Sequence, residues 1–439
     1  MDEVPPELLA WTFESCLTEQ HLRILPFVCR RWRDVCANAA LRRAMLRGLV
    51  FSFGGGDSHF DQSVLGHPRQ EEPSSHQGVR WAAPARIGAL RGLRIAAVAA
   101  GENHSLFLTD DGQVYACGVS LNGSQLGFAG CREEDLCQMH YVPERVSGLD
   151  DVVVVKIAAG PTHSLVLTST AAVYSFGENR YGHLGLGDYE NRWTPTLVEA
   201  LRGEEIVQVV AGDTNSAAIT KSGQVFMWGS CRSCIDLPSN DPTKPTLVEA
   251  LSGTPIAAVA LGECHCLFLT TDGLVLSCGL DLYHSGLLGY DVRDNPRKEQ
   301  RVPRPIPHFT GEVAAAIAAG EGHSLVLTRD GRLFAFGDNR SGQLGLGRTS
   351  PELNVSKPTE LPSPVAALAH VQVAGVVAAP LHSCAIAHDG SVYSFGDGEF
   401  YQLGHGTTDS WNVPKKIDAL VPFFMTSIAS TRAHTLALL

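Results

Sequence analysis

Gly320-Glu-Gly-His323-Ser324 opens an apolar run, Asp330-Gly331 turns it, and Leu333-Phe-Ala-Phe-Gly337 closes it. The same succession runs from Gly101-Glu-Asn-His104-Ser105 through Asp111-Gly112 to Val114-Tyr-Ala-Cys-Gly118, and from Gly160-Pro-Thr-His163-Ser164 to Val173-Tyr-Ser-Phe-Gly177. A period of about 50–60 residues means repeated supersecondary units. The histidine column reads His104, His163, Asn215, His265, His323, His382, His434; the glycine column reads Gly54, Gly118, Gly177, Gly229, Gly279, Gly337, Gly396. Both columns have seven members, but they are out of phase. Val50-Phe-Ser-Phe-Gly54 has no histidine half before it, and the half around His434 has no glycine half after it. The two orphans complete each other if the chain's last segment pairs with its first in a closed ring.

Each unit reads as strands. Val114, Tyr115, Ala116, Cys117 and Val392, Tyr393, Ser394, Phe395 alternate large and small with β-branched and aromatic residues, the period-two signature of a strand. Asp111-Gly112, Ser222-Gly223, Asp272-Gly273, Asp330-Gly331 and Asp389-Gly390 separate such runs, and glycine there supplies the positive φ of a tight hairpin. Ala171-Ala172 breaks the pattern and predicts a different turn. Small antiparallel sheets repeated around an axis make a β-propeller, and ring closure removes long exposed edges. The expected fold is mainly β: a seven-bladed propeller closed by N- and C-terminal strands over 49–439, preceded by a small all-α segment over 1–48.

Composition excludes several classes. The formal charge is −12. Residues 1–48 hold six acids and seven bases, so the acidity belongs to the propeller. That argues against nucleic-acid binding, which needs clustered Lys and Arg. No apolar run approaches the ~20 residues that span a bilayer, and Met1-Asp-Glu-Val-Pro-Pro lacks the basic and apolar parts of a signal peptide. The expected setting is the cytoplasm, the nucleus or both. Twelve cysteines then read as reduced thiols, with Cys117, Cys278 and Cys384 at core positions of the repeat.

Candidate chemical sites reduce mostly to the repeat. Cys231-Arg-Ser-Cys234 and Cys264-His265-Cys266 have the residue types of a zinc site, but His265 belongs to the histidine column and Cys266 replaces its serine. No metal and no cofactor are expected. A catalytic histidine occurs once, whereas these recur in every unit; they read as buried side chains with ring nitrogens bonded to neighbouring backbone. Gly54-Gly55-Gly56-Asp57 lacks the Gly-Lys-Ser/Thr of a phosphate loop. No catalytic centre is nominated. The loops after the glycine column vary instead, and they share one face of the ring. Their tips carry Arg180, Tyr181, Tyr283, His284, Arg340, Phe400 and Tyr401, the aromatic and Arg types that dominate interfaces. These are the expected target-binding residues. Two longer excursions, 128–141 and 290–304, follow the same column.

Gly-x-x-His-Ser, Asp-Gly, the aromatic before Gly, and Asn-Arg-x-Gly-x-Leu-Gly at 179–185 and 339–345 together resemble the regulator of chromosome condensation repeat, a propeller family. The resemblance covers roughly 49–439. The N-terminus does not fit the repeat. Leu9, Phe13 and Leu17 fall at helical spacing, as do Val28, Trp32 and Val35. With Pro5, Leu8-Leu9, Phe13 and Val28-Cys29-Arg30-Arg31-Trp32-Arg33, this segment resembles the F-box.

The two resemblances together imply a substrate-recognition subunit of a cullin-RING ubiquitin ligase. Pro5, Leu8, Leu9, Phe13, Leu22, Val28 and Trp32 would dock a Skp-family adaptor and, through it, a cullin. The propeller would hold an unidentified target, and catalysis would belong to the partners. The rival reading is an exchange factor or regulator of a Ran-like small GTPase, by analogy with the best-known repeat member. An ultraviolet receptor would need clustered tryptophans, whereas Trp81, Trp193, Trp228 and Trp411 fall in different units.

Overall fold

The structure, a computed structural model, describes residues 48–55, 65–67, 81–121, 125–129, 137–230, 234–239, 241–281, 285–290, 299–347 and 359–439. These form seven four-stranded antiparallel sheets. Blades one to six span 95–145, 154–197, 206–247, 256–305, 314–364 and 373–416, each with its strands in chain order. The seventh blade is composite: Ser427–Ser430 and His434–Leu438 pair with Val50–Gly54 and then Trp81–Arg86. Its register runs from Val50 opposite Leu438 to Gly54 opposite His434. Gly48 N donates to Leu439 O at 3.0 Å, and Leu439 N to Leu49 O at 3.0 Å. The orphan halves thus close the ring as their phase offset requires. The helical segment expected over 1–48 lies outside the described residues except for Gly48; the helices described are short 3₁₀ turns such as Glu199–Leu201.

The cores lie between blades. In the second strand of a blade, such as His323–Thr328, every residue is buried, because both faces of the sheet meet a neighbour. Each apolar cluster mixes two blades: Leu106, Leu108 and Val114 with Val166 and Phe176, or Leu267, Leu269 and Val275 with Val326, Phe334 and Phe336. Phe176, Phe336, Phe395, Phe53 and Trp228, each just before its column glycine, are fully buried. Each such ring contributes roughly 2–3 kcal/mol. Cys117, Cys278 and Cys384 are buried in the same way.

Two expectations are corrected. The hairpin at Ala171-Ala172 is not a different turn. Ala171 N donates to Thr168 O at 3.0 Å, as Gly112 N donates to Thr109 O at 3.1 Å, and Ala171 takes the glycine conformation at φ 65° against 85° for Gly112. The histidines also differ from expectation: their partners are hydroxyls of the next blade, not backbone. Nε2 lies 2.8 Å from Ser164 Oγ for His104, 2.9 Å from Ser216 for His163, 2.9 Å from Ser324 for His265 and 2.9 Å from Ser383 for His323. His382 reaches Ser430 at 2.6 Å, and His434 reaches Ser105 across the closure at 3.0 Å. Ser164, Ser216, Ser324 and Ser383 spend their one proton on carbonyls of the preceding blade, those of Gln125, His183, Leu287 and Gln343. A hydroxyl has a single hydrogen to donate, so the histidine Nε2 must donate and its Nδ1 is left a bare acceptor. Burial drives these rings down to about 3 for His104, His265, His323, His382 and His434, and His163 well below its ordinary value. The belt is therefore neutral. It has one gap, at Asn215 and Cys266, which take the places of histidine and serine at the seam of blades three and four.

Candidate functional site

Two sets of loops emerge on one face. The Gly-x-x-His loops join first to second strands near the axis. The loops after the glycine column join third to fourth strands farther out. Backbone bonds pin the outer set on the inner: Glu178 N to Thr162 O at 3.0 Å, Asp338 N to Gly322 O at 2.8 Å, Asp397 N to Leu381 O at 3.0 Å.

Asn-Arg-x-Gly-x-Leu-Gly is a self-tying outer loop. Asn179 Oδ1 accepts from Leu184 N and Asn339 Oδ1 from Leu344 N, both at 3.0 Å. The arginine between is left at the tip. Arg180 and Arg340 have side chains 67% and 65% exposed, yet each pairs with a carboxylate of its own loop, Glu178 at 3.2 Å and Asp338 at 3.0 Å. Arg180 also lies over the ring of Tyr181, 5.1 Å from its centroid. Gly182 and Gly342 hold the left-handed turn at φ 74° and 84°; in the sixth blade the same place is filled by Tyr401, at φ 63°. A large aromatic residue held there is strained, and such strain clusters at functional sites. Of the expected target-binding residues, Arg180, Tyr181, Arg340, Phe400 and Tyr401 share this face. Tyr283 and His284 lie outside the described residues, as do all of Pro5, Leu8, Leu9, Phe13, Leu22, Val28 and Trp32. The two excursions are not wholly loops: they run into the fourth strands Cys137–Arg145 and Glu299–Pro305.

The inner loops, which sequence reasoning passed over, enclose an axial funnel of about 360 Å³ lined by three residues from every blade. Around its rim the residue after each loop's first position reads Glu102, Pro161, Asp213, Glu263, Glu321, Pro380, Arg432. Partial burial raises the Asp213 carboxyl; burial raises Glu263 too, with the charges of Glu321 and Asp213 adding to it. The signal was present in the sequence: reading the second residue of Gly-x-x-His down the column gives four acids and one base.

The cysteines near this face are poorly set for nucleophilic chemistry. Cys264 is pushed up to about 11, first by burial and then by the Glu263 charge, which suppresses the reactive thiolate. Cys234 and Cys266 are fully buried, and Cys231 lies outside the described residues. Among the described residues no three metal-ligating side chains converge, and no helix is long and apolar enough to cross a membrane.

Comparison with known proteins gives concordant matches. Residues 199–439 match the family model described as RCC1-like domain, and 111–167 and 171–219 match the regulator of chromosome condensation (RCC1) repeat. Among curated proteins, the chain is 32% identical over 378 residues to the human E3 ubiquitin-protein ligase HERC2, covering 85% of this chain and 7% of that protein. It is 33% identical to the Arabidopsis thaliana ultraviolet-B receptor UVR8, covering 79% and 63%. It is 34% identical to the dog X-linked retinitis pigmentosa GTPase regulator, covering 76% and 32%. The chain thus spans less than two-thirds of each relative. Among solved structures, yeast RCC1 (Prp20), crystallised with Kap60, superposes with a TM-score of 0.75 at 24% identity over 89% of both chains. Human WBSCR16 superposes at 0.73 and 24%, over 89% of this chain and 99% of that one. At that identity these two speak for the fold alone.

Proposed function

Since the chain belongs to the RCC1-like domain family, we propose that it is a binding protein, not an enzyme, and that its target docks on the face carrying both sets of loops. One observation carries this reading. The scaffold repeats blade after blade, while the loop tips on that face vary more, and one of them, the half-buried Tyr401, is kept in a conformation that the equivalent glycines adopt without strain. Fold alone does not assign function, and the residues of the site must.

Its most concrete form is the substrate receptor of a cullin-RING ubiquitin ligase, with residues 1–48 as the adaptor-binding module and 49–439 as the target-binding propeller. The F-box-like run Val28–Arg33 supports it, as do relatives that pair this kind of propeller with the name E3 ubiquitin-protein ligase. The ring closure adds a mechanical reason. Gly48 N is bonded to Leu439 O, so the chain leading from the N-terminal module is anchored at the ring closure, and proximity would be the source of rate. Affinity capture of the full chain from native extract tests this. A Skp-type adaptor and cullin should co-purify, and Leu9→Ala with Trp32→Ala should remove them while the propeller stays folded. The second reading is a regulator of a small GTPase, suggested by the relative named a GTPase regulator. Capture of a GTPase without adaptor or cullin would decide for it.

A further inference from the structure

We propose that the axial funnel receives a lysine or arginine side chain presented by a basic segment of the partner protein. This rests on the reading of the loop face as the partner-binding surface and adds the chemistry of what enters it. Asp213, Glu263 and Glu321 stand on three consecutive blades and open into the funnel, and none is ion-paired among the described residues. The one base of the rim, Arg432, stands on the seventh blade with Pro380 between it and Glu321, so the acidic arc is left uncompensated. Burial raises both the Asp213 and Glu263 carboxyls, and at Glu263 the neighbouring Glu321 and Asp213 charges add to it.

A second, independent feature of the wall has the same sign. His104, His163, His265 and His323 are fully buried, and their Nδ1 atoms have no partner; with Nε2 donating, each Nδ1 presents a lone pair. Each lies against the glycine that lines the funnel. A Cβ on Gly101, Gly160, Gly262 or Gly320 would stand only 2.5, 2.7, 2.5 or 2.6 Å from that nitrogen. Asn215 Oδ1, also buried without a partner, faces Gly212 in the same way. The funnel is thus ringed by acceptors behind its wall and carboxylates at its mouth.

Size and geometry choose the occupant. At about 360 Å³ the space equals roughly a dozen waters at ~30 Å³ each, far more than a bare ion needs. A divalent cation needs several oxygen ligands within about 2.6 Å, and no such group converges among the described residues. Carboxylates spread over three blades suit a long cationic side chain with several donors.

The test uses the full chain and a fluorescein-labelled decapeptide with lysine at alternate positions, read by anisotropy at about 0.05 M and 0.5 M salt, where charge screening differs severalfold. Asp213→Asn with Glu263→Gln and Glu321→Gln should weaken binding at least tenfold. Acetylating the peptide's lysines should do the same to the unaltered chain, and high salt should weaken it comparably. Removing three charges from the 3₁₀ turns of the opposite face (Glu199→Gln, Glu249→Gln, Asp418→Asn) should leave binding unchanged. Equal binding by the funnel variant overturns the proposal, as does equal loss in the control variant. Displacement of the peptide by micromolar calcium or magnesium would make the funnel a metal site, and self-association that disappears in the funnel variant would make the occupant a second copy; either result also overturns it. Affinity capture separates this from the broader reading. If both the unaltered chain and the funnel variant capture the same partner, the funnel inference fails and the loop-face reading stands. If the unaltered chain captures none, the loop-face reading itself fails.

Discussion

In Gly320-Glu321-Gly322-His323 two residues of one loop lead opposite lives. His323 is fully buried, neutral and bonded across the blade seam to Ser383, and its counterparts in five other blades do the same. Glu321 opens into the axial funnel, and its counterparts are Glu, Pro, Asp, Glu, Pro and Arg. The belt repeats because every seam poses the same packing problem. The rim varies because solvent imposes no such constraint, so any pattern there is free to serve a partner. Stability should therefore reside in the belt and specificity at the rim.

The strongest test of the belt is acid. Burial depresses its six histidines, five of them to about 3 from an ordinary 6.5. The unfolded chain therefore binds protons that the folded chain refuses. Stability is full above pH 6.5 and falls as pH drops towards 3. Six such groups give a slope of about 8 kcal/mol per pH unit below 6, against a typical domain stability of ~5–15 kcal/mol. The propeller should unfold in one cooperative step near pH 5, followed by circular dichroism. A fold that melts unchanged at pH 4.5 would mean the belt histidines are solvated.

Single substitutions then separate the two residues of the loop. His323→Ala empties a packed site and deprives Ser383 of its donor, and should cost ~2–4 kcal/mol by denaturant unfolding. Glu321→Gln should leave the unfolding midpoint unchanged within error and act only on binding. Should the two cost the same, the division between belt and rim is wrong.

The gap at Asn215 and Cys266 sharpens the comparison further. Asn215→His with Cys266→Ser restores the pair present at the other seams and should add about 1 kcal/mol. Neither single change gains, because each leaves a buried polar group without its mate. A double-mutant cycle therefore carries the result: coupling near zero would show that the belt's hydrogen bonds are incidental to its packing.

The scaffold was legible in the sequence because its cause is periodic. Two columns and their phase offset were enough for blade number, strand identity and closure by Val50–Gly54 with His434–Leu438. The partners of the histidines were not legible, since a bond from blade to blade spans 48–60 residues within the chain and 329 at the closure. The hairpin at Ala171 was misread because residue identity stood in for conformation: the flanking register imposed the turn on an alanine. At the candidate site, sequence reasoning found the outer tips by their residue types. It missed Asp213, Glu263 and Glu321 because each is unremarkable alone and they become neighbours only around the axis.

The finest distinction is between two residues that break one conformational rule. Ala171 and Tyr401 are the non-glycine residues with positive φ among those described, at 65° and 63°. Ala171 sits in a hairpin on the face opposite the candidate site, and Tyr401 on the site itself. Left-handed backbone costs an L-residue ~1–2 kcal/mol, and glycine returns part of that gain through the greater freedom of its unfolded chain. Ala171→Gly and Tyr401→Gly should therefore both stabilise, by about 0.5–1 kcal/mol each. Their effects on binding should part company. Ala171→Gly should leave partner capture untouched, so its strain is only a tolerated cost. Tyr401→Gly should raise the melting temperature and lower capture together, the mark of a residue kept for contact at the expense of stability. If Tyr401→Gly stabilises without loss of capture, the tyrosine is as incidental as the alanine, and the binding surface must be sought at Arg180, Tyr181 and Arg340.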